Sequence, residues 1–489
     1  MEESKILQYF EGKTILITGA TGFLAKIFLE KVLRVQPKIK KLFLLIRAVD
    51  KRSAELRLHE EVLNTELFGI LKAKYGADLI PFLLSKVIPV CGDVSYENLG
   101  IFDSKLRDEI SQEVDIIVNS AATTKFDERY DVAMGINALG AMHAQKFARN
   151  CSKIEMFVHV STAYVHGSSV GIVPEKPFRM GETLDGAEIS YLDINTEKKI
   201  LEERLRGLEA QNATELKIKS VMRNLGIERA KLHGWPNTYV FTKAMGEMLL
   251  EKLKENVKLI IVRPTIITST YKEPFSGWTE SIRTLDSIFV GYGKGKIKFF
   301  VGDPDSILDM IPGDMVVNSM LVAMAMHTNQ PSHRLIYHIG SSRRNPLKYA
   351  DMKWLMYRYL TKNPLLDTGG KPIKVEEAKI LETMASFHRY IAIRYLPFIQ
   401  MLKLANMILC NHFEHVHVNA RRRVNHSIRL AELYKPYLFF QGIFDDSTTE
   451  NLRTATRGSE VFNFDPKCIQ WEDYFMNIHF PGIIKYALK

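Results

Sequence analysis

Cysteine is scarce in this chain. The sequence of 489 residues contains only Cys91, Cys151, Cys410 and Cys468, and these four stand far apart. Because no C-x-x-C pair occurs, the sequence lacks the ligand spacing of a zinc ribbon and the cysteine density of a disulfide framework. Such usage is typical of a protein from a reducing compartment.

Long apolar runs are missing as well. No stretch reaches the ~18 uninterrupted apolar residues that a membrane-spanning helix needs, and the N-terminus has neither a signal-peptide core nor a transit segment rich in Ser and Arg. The nearest approach is YIAIRYLPFIQMLKLANMILC at 390–410. Four residues interrupt it: Arg394, Pro397, Gln400 and Lys403. We therefore expect an amphipathic segment that either lies on a membrane or packs on the core.

A strong excess of one charge sign is also lacking. The 66 Lys and Arg residues outnumber the 56 Asp and Glu residues only enough to give a net charge of +10. A modest basic surplus favours anionic partners such as phosphates or acidic lipid surfaces. The basic residues show no interleaved aromatic pattern, so no nucleic-acid partner is expected.

What the chain does contain is an alternation of apolar and helical stretches. The segment AKIFLEKVLRV at 25–35 has helical spacing. Buried strands are predicted at KTILITG (13–19), KKLFLLIR (40–47), VIPVCGDV (87–94), VDIIVNSAA (114–122), EMFVHVSTAYV (155–165) and KLIIVRPTII (258–267). Strands that alternate with helices in this way predict an α/β fold, a Rossmann-type doubly wound parallel sheet with helices on both faces.

Two regions depart from this alternation. The segment at about 174–235 has the pattern of two charged amphipathic helices, which form either a solvated rim or a cover over a site. After about residue 370 strand signals thin out, and Leu, Ile, Phe and Tyr recur at helical spacing. We expect residues 1–370 to form the Rossmann-type domain with a helical insert, and residues 371–489 to form a smaller, mainly helical C-terminal domain.

A glycine-rich turn lies between the first predicted strand and helix. LITGATGFLAK places Gly19, Gly22 and Ala25 as G-x-x-G-x-x-A. At a strand–helix junction such a turn aims backbone N–H groups at a pyrophosphate, and the glycines permit the close approach. A glycine-rich match alone is weak evidence, but its position at the first junction predicts a dinucleotide site.

The ends of the next strands indicate which dinucleotide binds. Arg47, with Arg52 nearby, offers a cation to a 2′-phosphate, although Asp50 is also close. This favours NADPH. Asp93, beside Val94, is placed either to accept from the adenine amino group or to cap a helix. The small residues of NSAA (119–122) let the fourth strand end pass close to the cofactor.

A Tyr-x-x-x-Lys pair lies in WPNTYVFTKAMGE, at Tyr239 and Lys243. On a helix this spacing stacks the phenol and the ammonium one turn apart. Free Tyr has a pKa of about 10, and a neighbouring ammonium is expected to lower it. Thr162, after Ser161 at a strand end, is expected to converge on the pair and orient a substrate oxygen. These are the marks of a carbonyl-reducing, extended short-chain dehydrogenase/reductase.

The chain further resembles the alcohol-forming fatty acyl-CoA reductases, particularly those of plants. The resemblance covers nearly the whole sequence. It is carried by KTILITGATGFLAKIFLEKVLRVQPKIKKLFLLIRA, NSAATTKFDERYDVAMGINALGA, VHVSTAYVHG, HGWPNTYVFTKAMGEMLL, VRPTIITSTYKEPFSGW, DMIPGDMVVNSM, YKPYLFFQGIFDDSTTENLR and FNFDPKCIQWEDYF. The glycine turn and the Tyr-Lys pair belong to the wider superfamily, whereas Trp-Pro-Asn before Tyr239 and the C-terminal blocks are narrower.

The resemblance implies NADPH-dependent reduction of a long-chain or very-long-chain acyl-CoA to a primary alcohol, through a hemithioacetal and an aldehyde, with release of CoA. It implies Thr162, Tyr239 and Lys243 as catalytic residues and no cysteine nucleophile. Asn137 is expected to hold the active-site helix and strand in register. The residues implied to line the cofactor are Gly19, Thr21, Gly22, Phe23, Leu24, Arg47, Asp93, Val94, Asn119, Ala121, Tyr239, Lys243, Pro264 and Ile266.

Three other functions share parts of this pattern. Reduction that stops at the aldehyde needs the same residues. Nucleotide-sugar epimerases and dehydratases use the same turn and Tyr-Lys pair, but Arg47 and the apolar C-terminal region argue against them. A cofactor-sensing regulator without catalysis is disfavoured by the intact Thr162, Tyr239 and Lys243.

Charged clusters near the C-terminus suggest further contacts. His412, Glu414, His415 and His417 resemble a metal cluster, but their spacing is irregular and we expect no metal. The run 421–423, three arginines, is either a solvated surface or a contact for CoA phosphates or anionic lipid. Because a long-chain product is insoluble, we expect peripheral or monotopic membrane contact. The resemblance favours the cytosolic face of the endoplasmic reticulum, with cytoplasm or plastid as alternatives.

Overall fold

The computed structural model describes residues 2–253, 257–328, 334–408 and 412–488. Cys410 and the end of the 390–410 segment lie outside these ranges. The strands in the described ranges are β1 (Thr14–Thr18), β2 (Lys41–Ile46), β3 (Val87–Cys91), β4 (Ile116–Asn119), β5 (Met156–Val160), β6 (Val170–Val173), β7 (Lys258–Pro264), β8 (Ile266–Thr268), β9 (Phe299–Val301), β10 (Met310–Pro312), β11 (Arg334–Ile339), β12 (Lys379–Leu381) and β13 (Gln441–Phe444).

Seven of these strands form one parallel sheet. Their order is β11-β7-β5-β4-β1-β2-β3. The chain runs outward in one direction from β1 through β2 to β3, and then outward in the other direction from β4. The crevice between the carboxyl ends of β1 and β4 is therefore the topological switch point, where doubly wound sheets bind their ligands.

Helices cover both faces of the sheet and build the C-terminal region. They are α1 (Glu3–Phe10), α2 (Phe23–Val35), α3 (Lys51–Arg57), α4 (Gly69–Tyr75), α5 (Leu79–Lys86), α6 (Ser104–Glu113), α7 (Tyr130–Ala133), α8 (Gly140–Arg149), α9 (Ile194–Ala210), α10 (Glu215–Leu232), α11 (Thr238–Lys252), α12 (Thr284–Gly293), α13 (Gly313–His327), α14 (Tyr349–Lys362), α15 (Met384–Arg394), α16 (Leu396–Ile408), α17 (Glu414–Leu438), α18 (Ser447–Ala455), α19 (Trp471–Asp473) and α20 (Phe480–Gly482). Within the described ranges, no helix is both long and apolar enough to cross a membrane.

The predicted α/β fold is confirmed. Each predicted strand contains a strand of the sheet, and α2 and the paired insert helices α9 and α10 lie where their patterns place them. The seventh sheet strand, β11, was not predicted. It pairs with β7 along its whole length, but its sequence RLIYHI carries Arg334 and His338 and therefore lacks a continuous apolar run.

The core is continuous between the sheet and the end of the chain. One apolar cluster joins Ile15 of β1 and Phe28 of α2 to Phe464, Phe475 and Ile483. The strand β13 pairs with β6 beside the insert. The C-terminal region is mainly helical, as expected, but its last part packs into the core of the Rossmann-type domain rather than forming a separate body.

Candidate active site

The glycine turn after β1 is shaped by close backbone contact. Gly19 has a φ of +69°, and a Cβ there would lie 2.7 Å from the backbone N and Cα of Ala121. Only glycine fits this approach between the ends of β1 and β4. Gly22 is exposed and precedes the first turn of α2, whose free N–H groups suit an anion. The cradle fits a dinucleotide pyrophosphate, and Thr21 lies within it.

Some polar side chains at the ends of β2 and β3 already accept hydrogen bonds within the protein, and others do not. Arg47 is exposed just beyond β2, whereas Asp50 is used as the N-cap of α3 and accepts from Ser53 N at 2.7 Å. Both side chains are exposed, but the carboxylate of Asp50 is occupied by its helix cap, so the guanidinium is the better placed of the two to meet a ligand. After β3, Asp93 Oδ1 accepts from the N–H and the hydroxyl of Ser95 at 2.9 and 2.8 Å. Asp93 thus also braces its own turn.

Apolar residues surround the start of α2. Phe23 stacks on Trp278 with ring centroids 5.1 Å apart, and the Arg283 guanidinium lies 3.8 Å from the Phe23 ring centroid. Leu24 and Val94 are buried nearby in the cores on the two faces of the sheet. These side chains fix the walls of the groove, and the sequence pattern contained no signal for Arg283.

Thr162 and Tyr239 meet at the carboxyl end of β5. Tyr239 lies in the first turn of α11, which Asn237 begins by accepting from Val240 N. Thr162 caps a short turn over Ala163–His166, and its hydroxyl lies 3.5 Å from the carbonyl oxygen of Pro264. The Thr162 hydroxyl lies near enough to the Tyr239 phenol to lower the pKa of the phenol, against the effect of burial. The structure therefore brings together a hydroxyl and a phenol that a substrate carbonyl can approach.

Lys243 lies one turn further along α11 and is fully buried. Its Nζ donates to the carbonyl oxygen of Val160 at 2.7 Å and lies 3.3 Å from His159 Nε2. Burial disfavours the ammonium and lowers the pKa of Lys243 to about 8, against the opposing effect of Glu247. Lys243 is therefore able to change its protonation state near neutral pH.

The predicted lowering of the pKa of Tyr239 is wrong in this structure. Burial of the phenol raises its pKa to about 12, although the nearby Thr162 hydroxyl acts the other way. The reason is that the Lys243 ammonium is turned toward the carbonyl oxygen of Val160 and toward His159. Tyr239 is thus protonated at neutral pH, which suits a donor of protons to an alkoxide, a stronger base than phenolate.

Asn137 ties the loop after β4 to the active-site helix. Its Oδ1 accepts from Thr123 N at 3.0 Å, and its Nδ2 donates to Thr123 O at 3.1 Å and to Thr242 Oγ1 at 3.0 Å. The side chain is buried in the π-helical segment Met134–Leu139. Asn137 therefore joins α11 to the loop after β4, whereas the sequence predicted a link between α11 and a strand.

Asn119, Pro264 and Ile266 complete the set of predicted cofactor residues. The amide of Asn119 is buried between Thr18 and His159, so its side chain lies beneath the groove. Pro264 ends β7, and Ile266 begins β8 with its N–H donating to the carbonyl oxygen of Asp309 at 3.1 Å. Both follow the carboxyl end of a sheet strand adjacent to Thr162.

An aromatic wall from the C-terminal region stands beside Tyr239, and sequence reasoning missed it. Phe126, in the loop after β4, stacks near Tyr239 at a centroid distance of 6.1 Å and on Tyr437 of α17 at 4.8 Å. Tyr434 packs on the other side of Phe126. Asn237 Nδ2 donates to Tyr437 OH at 2.8 Å. The C-terminal helix α17 therefore forms one side of the site.

A second cluster resembles a hydrolase triad but is closed to solvent. Ser269 Oγ lies 2.9 Å from His479 Nδ1, and His479 Nε2 lies 3.1 Å from Asp286 Oδ1. Ser269 has no exposed surface, so a substrate carbonyl has no access to it. The cluster ties the C-terminal segment to the chain after β8.

Neither a metal site nor a reactive Cys151 thiol occurs in the described part of the chain. No three His, Cys, Asp or Glu side chains there are grouped as metal ligands. His415 instead lies close to Asn419 within α17. Burial raises the pKa of the Cys151 thiol to about 12, so this cysteine is a poor nucleophile.

Comparison with known proteins places this arrangement in a family. A family model described as male sterility protein matches residues 17–320, and a second with the same description matches residues 394–489. The chain is 49% identical to the alcohol-forming fatty acyl-CoA reductase of Simmondsia chinensis over the full length of both. It is 47% identical to fatty acyl-CoA reductase 1 of Arabidopsis thaliana, again over both full lengths.

The chain belongs to the fatty acyl-CoA reductases. Solved structures agree with its fold. The terminal R domain from the myxalamid biosynthetic pathway matches with a TM-score of 0.57 at 16% identity, over 99% of this chain and 95% of that one. The reductase domain of a nonribosomal peptide synthetase from Mycobacterium tuberculosis matches with a TM-score of 0.53 at 15% identity, over 99% and 96%. This fatty acyl-CoA reductase is thus an oxidoreductase that uses a nicotinamide cofactor.

Proposed function

We propose that this reductase converts a long-chain or very-long-chain fatty acyl-CoA to the primary alcohol, with NADPH as reductant and with release of CoA. The observation that carries the proposal is the proximity of Thr162 and Tyr239, with Lys243 one helical turn away, at the sheet edge that also holds the glycine turn. The Simmondsia chinensis relative is named alcohol-forming.

The two hydroxyl groups supply what a carbonyl reduction requires of the protein. A bound nicotinamide provides hydride for the carbonyl carbon. Thr162 and Tyr239 offer donors to the oxygen on which negative charge develops, and Tyr239 then passes its proton to that oxygen. The resulting hemithioacetal expels CoA as its thiol, with the hydroxyl proton moving to sulfur, and leaves an aldehyde.

The same donors serve the second reduction. The aldehyde oxygen takes the position of the thioester oxygen against Thr162 and Tyr239, and the proton from Tyr239 completes the alcohol. Between the two steps Tyr239 needs a new proton, and Lys243 is a suitable source because burial lowers its pKa to about 8. The net reaction takes up two hydrides and two protons for each CoA released.

The preference for NADPH over NADH rests on Arg47. Its guanidinium is exposed where β2 ends, at the position where a cofactor 2′-phosphate or 2′-hydroxyl lies in this fold. An acidic residue is what a free 2′-hydroxyl usually meets there, and Asp50 is already used as a helix cap. A bidentate guanidinium suits a phosphate.

The aromatic wall supports a substrate with an apolar part next to the reacting carbon. Phe126 stacks near the ring of Tyr239, and Tyr434 and Tyr437 pack against Phe126, so aromatic rings line this side of the site. The two charged neighbours of Phe126 are both paired: Asp127 with Arg429 of α17 at 2.8 Å and with Arg223 of α10, and Lys125 with Glu128 at 3.4 Å. A polar nucleotide sugar gains little from such a wall, whereas an acyl chain gains by burial.

Membrane contact is proposed for the outer face of α16. On its inner side, Ile399 packs in an apolar cluster with Phe387 of α15 and Val424 of α17, and Leu402 is also buried. The outer apolar side chains are between 40% and 78% exposed: Leu396, Phe398, Met401, Leu404, Met407 and Ile408. The helix LPFIQMLKLANMI contains no acidic residue. An exposed apolar face of this size fits the interfacial region of a bilayer.

Basic residues flank this face and favour an anionic lipid surface. Arg389 and Arg394 lie on α15, and the three arginines at 421–423 are exposed on α17. Cytosolic leaflets carry anionic lipids that attract such residues. We accordingly propose that the enzyme acts as a peripheral protein on the cytosolic face of the endoplasmic reticulum, where its insoluble product can enter the bilayer.

One experiment separates the proposed activity from its alternatives. The purified chain is incubated with NADPH or NADH and a series of acyl-CoAs, and the lipid products are identified. Primary alcohol with NADPH supports the proposal. Aldehyde as the final product points to single reduction, and turnover of a nucleotide sugar, or of no substrate at all, contradicts the assignment.

A further inference from the structure

A chain of buried hydrogen bonds runs beneath the groove from the glycine turn to Lys243. Thr18 Oγ1 lies 2.6 Å from Asn119 Oδ1, Asn119 Nδ2 lies 3.0 Å from His159 Nδ1, and His159 Nε2 lies 3.3 Å from Lys243 Nζ. The residues come from β1, β4, β5 and α11, and none of the four is more than 2% exposed. No step of the reduction proposed above uses the first three.

The donor and acceptor roles along this chain of hydrogen bonds are fixed at Thr18, where it begins. Ala121 N–H, which can only donate, donates to Thr18 Oγ1 at 3.2 Å. The Thr18 hydroxyl proton is then free to go to Asn119 Oδ1, and the amide nitrogen of Asn119 can only donate to His159. In this arrangement each group from Ala121 to His159 Nδ1 has a matching partner. The reverse arrangement would leave the hydroxyl proton of Thr18 facing a second donor.

The direction determines which proton His159 presents to Lys243. Burial, together with the charge of Lys243, holds the pKa of His159 well below its usual range, so the ring is neutral. Because Nδ1 accepts from Asn119, the ring proton is on Nε2, which faces Lys243 Nζ. An N–H donor stabilises an amine and repels an ammonium.

Other charged and titratable groups around Lys243 are accounted for. Glu247, one turn further along α11, is held in a bidentate ion pair by Arg263 of β7, and Arg263 also contacts His166 at 2.9 Å. Tyr239 is the remaining titratable neighbour on α11. The carbonyl oxygen of Val160 accepts a proton from either form of Lys243 and does not choose between them.

We propose that Thr18, Asn119 and His159 are positioning residues that present a hydrogen-bond donor to Lys243 and thereby favour its amine form. The proposal rests on the function proposed above, in which Lys243 re-protonates the Tyr239 phenolate. In that step the ammonium loses a proton to the phenolate oxygen, and the new lone pair on Nζ accepts the Nε2–H of His159. The chain thus makes the proton-depleted lysine stable between the two reductions.

The test uses Thr18→Val and Thr18→Ser in the full-length protein. Valine has the shape of threonine but cannot donate to Asn119, so the amide is released and the bias toward the amine is lost. We expect the basic limb of the kcat–pH profile to move to higher pH by about half a unit or more in Thr18→Val. Serine keeps the hydroxyl, and its profile should match that of the unmodified protein.

Asn119→Asp reverses the chain at nearly constant shape. A carboxylate accepts from both Thr18 and His159 Nδ1, which moves the ring proton to Nδ1 and turns the Nε2 lone pair toward Lys243. The basic limb should then move upward by about one unit or more. If Asn119→Asp fails to fold, the comparison of Thr18→Val with Thr18→Ser is sufficient to test the proposal. An unshifted limb in Thr18→Val, or an equal shift in Thr18→Ser, overturns the proposal.

The pH dependence of NADPH binding, followed by nicotinamide fluorescence, gives a second readout without turnover. Because the family resemblance implies that Lys243 contacts the cofactor, binding affinity should show the same lysine titration and the same shifts in the variants. If the unmodified protein binds NADPH but reduces no acyl-CoA, the proposed function fails while this titration still tests the chain. If neither titration shifts in Thr18→Val, the chain has no influence on Lys243.

Discussion

The hydroxyl of Thr162 lies close enough to the phenol of Tyr239 to lower the pKa of the phenol, although the two residues lie on different elements and far apart in sequence. Thr162 follows β5, and Tyr239 lies in the first turn of α11. Their meeting point is next to Pro264 at the end of β7, so three elements converge where a substrate carbonyl is expected. In the proposed reaction the pair acts as one unit that binds and protonates the substrate oxygen.

Tyr239→Phe removes the transferable proton and keeps the ring. We expect acyl-CoA reduction to fall by about two orders of magnitude or more, because a positioned general acid contributes ~10²–10⁴-fold. NADPH affinity should stay within a few-fold of the unmodified value. Tyr434→Phe, in the same aromatic wall, is the matched control and should keep its activity. Full activity in Tyr239→Phe would remove the assigned proton donor.

Thr162→Val removes one of the two donors to the developing oxyanion. Loss of a single donor of this kind costs ~10²–10³-fold in kcat, and we expect a decrease of that order with little change in NADPH affinity. Thr162→Ser retains the hydroxyl and should recover most of the activity. Equal rates for the valine and serine variants would show that the hydroxyl is not used.

The pH profile is expected to show the titration of Lys243. The pKa of Lys243 is lowered to about 8, so the side chain is mainly ammonium below that value and amine above it. The reduction rate should therefore be level below about pH 8 and fall as the pH rises further, while Tyr239, with its pKa raised to about 12, stays protonated. Lys243→Arg should be slower but should lack this basic limb. A limb that survives in Lys243→Arg belongs to another group.

Arg47→Ala should change cofactor preference without changing the chemistry. Loss of a charge-assisted contact to the 2′-phosphate is expected to raise the KM for NADPH by about tenfold or more, with kcat retained and the KM for NADH unaffected. Because Arg52 also offers a cation near this site, the control is Lys72→Ala on the exposed side of α4. Equal increases for NADPH and NADH would assign Arg47 to a different part of the cofactor.

Substitutions on the outer face of α16 should reduce binding to lipid. Phe398→Glu with Leu404→Glu places two carboxylates in the proposed contact, and co-flotation with anionic phosphatidylserine vesicles should fall several-fold at unchanged thermal stability. Leu84→Glu is a matched control, because Leu84 of α5 is 75% exposed at a site away from α16. Unchanged flotation of the double variant would argue against this face.

The sequence was sufficient for those parts of the fold that local pattern determines. Strand β1, helix α2 and the insert helices follow from apolar spacing, and the glycine turn follows from its place at the first junction. Strand β11 was missed because Arg334 and His338 break its apolar run. It becomes a strand through pairing with β7, and pairing between segments distant in sequence cannot be recognised from the local residue pattern.

The site was predictable as a set of residues but not as an electrostatic environment. The spacing of Tyr239 and Lys243 on one helix face was informative, whereas the direction of the Lys243 ammonium depends on Val160 and His159, which a helix pattern does not contain. Phe126 and Tyr437 likewise meet only in three dimensions. The pKa of Tyr239 was predicted in the wrong direction because burial depends on all of these neighbours.

The most direct test of the account is the ratio of NADPH oxidised to CoA thiol released during turnover of a long-chain acyl-CoA. Two reductions at one Tyr239–Thr162 site predict two NADPH oxidised for each CoA released, with the primary alcohol as the lipid product. Alcohol should follow thiol release with no delay other than the time needed to reduce the aldehyde. A ratio of one with aldehyde as the end product, or thiol release without NADPH oxidation, would contradict it.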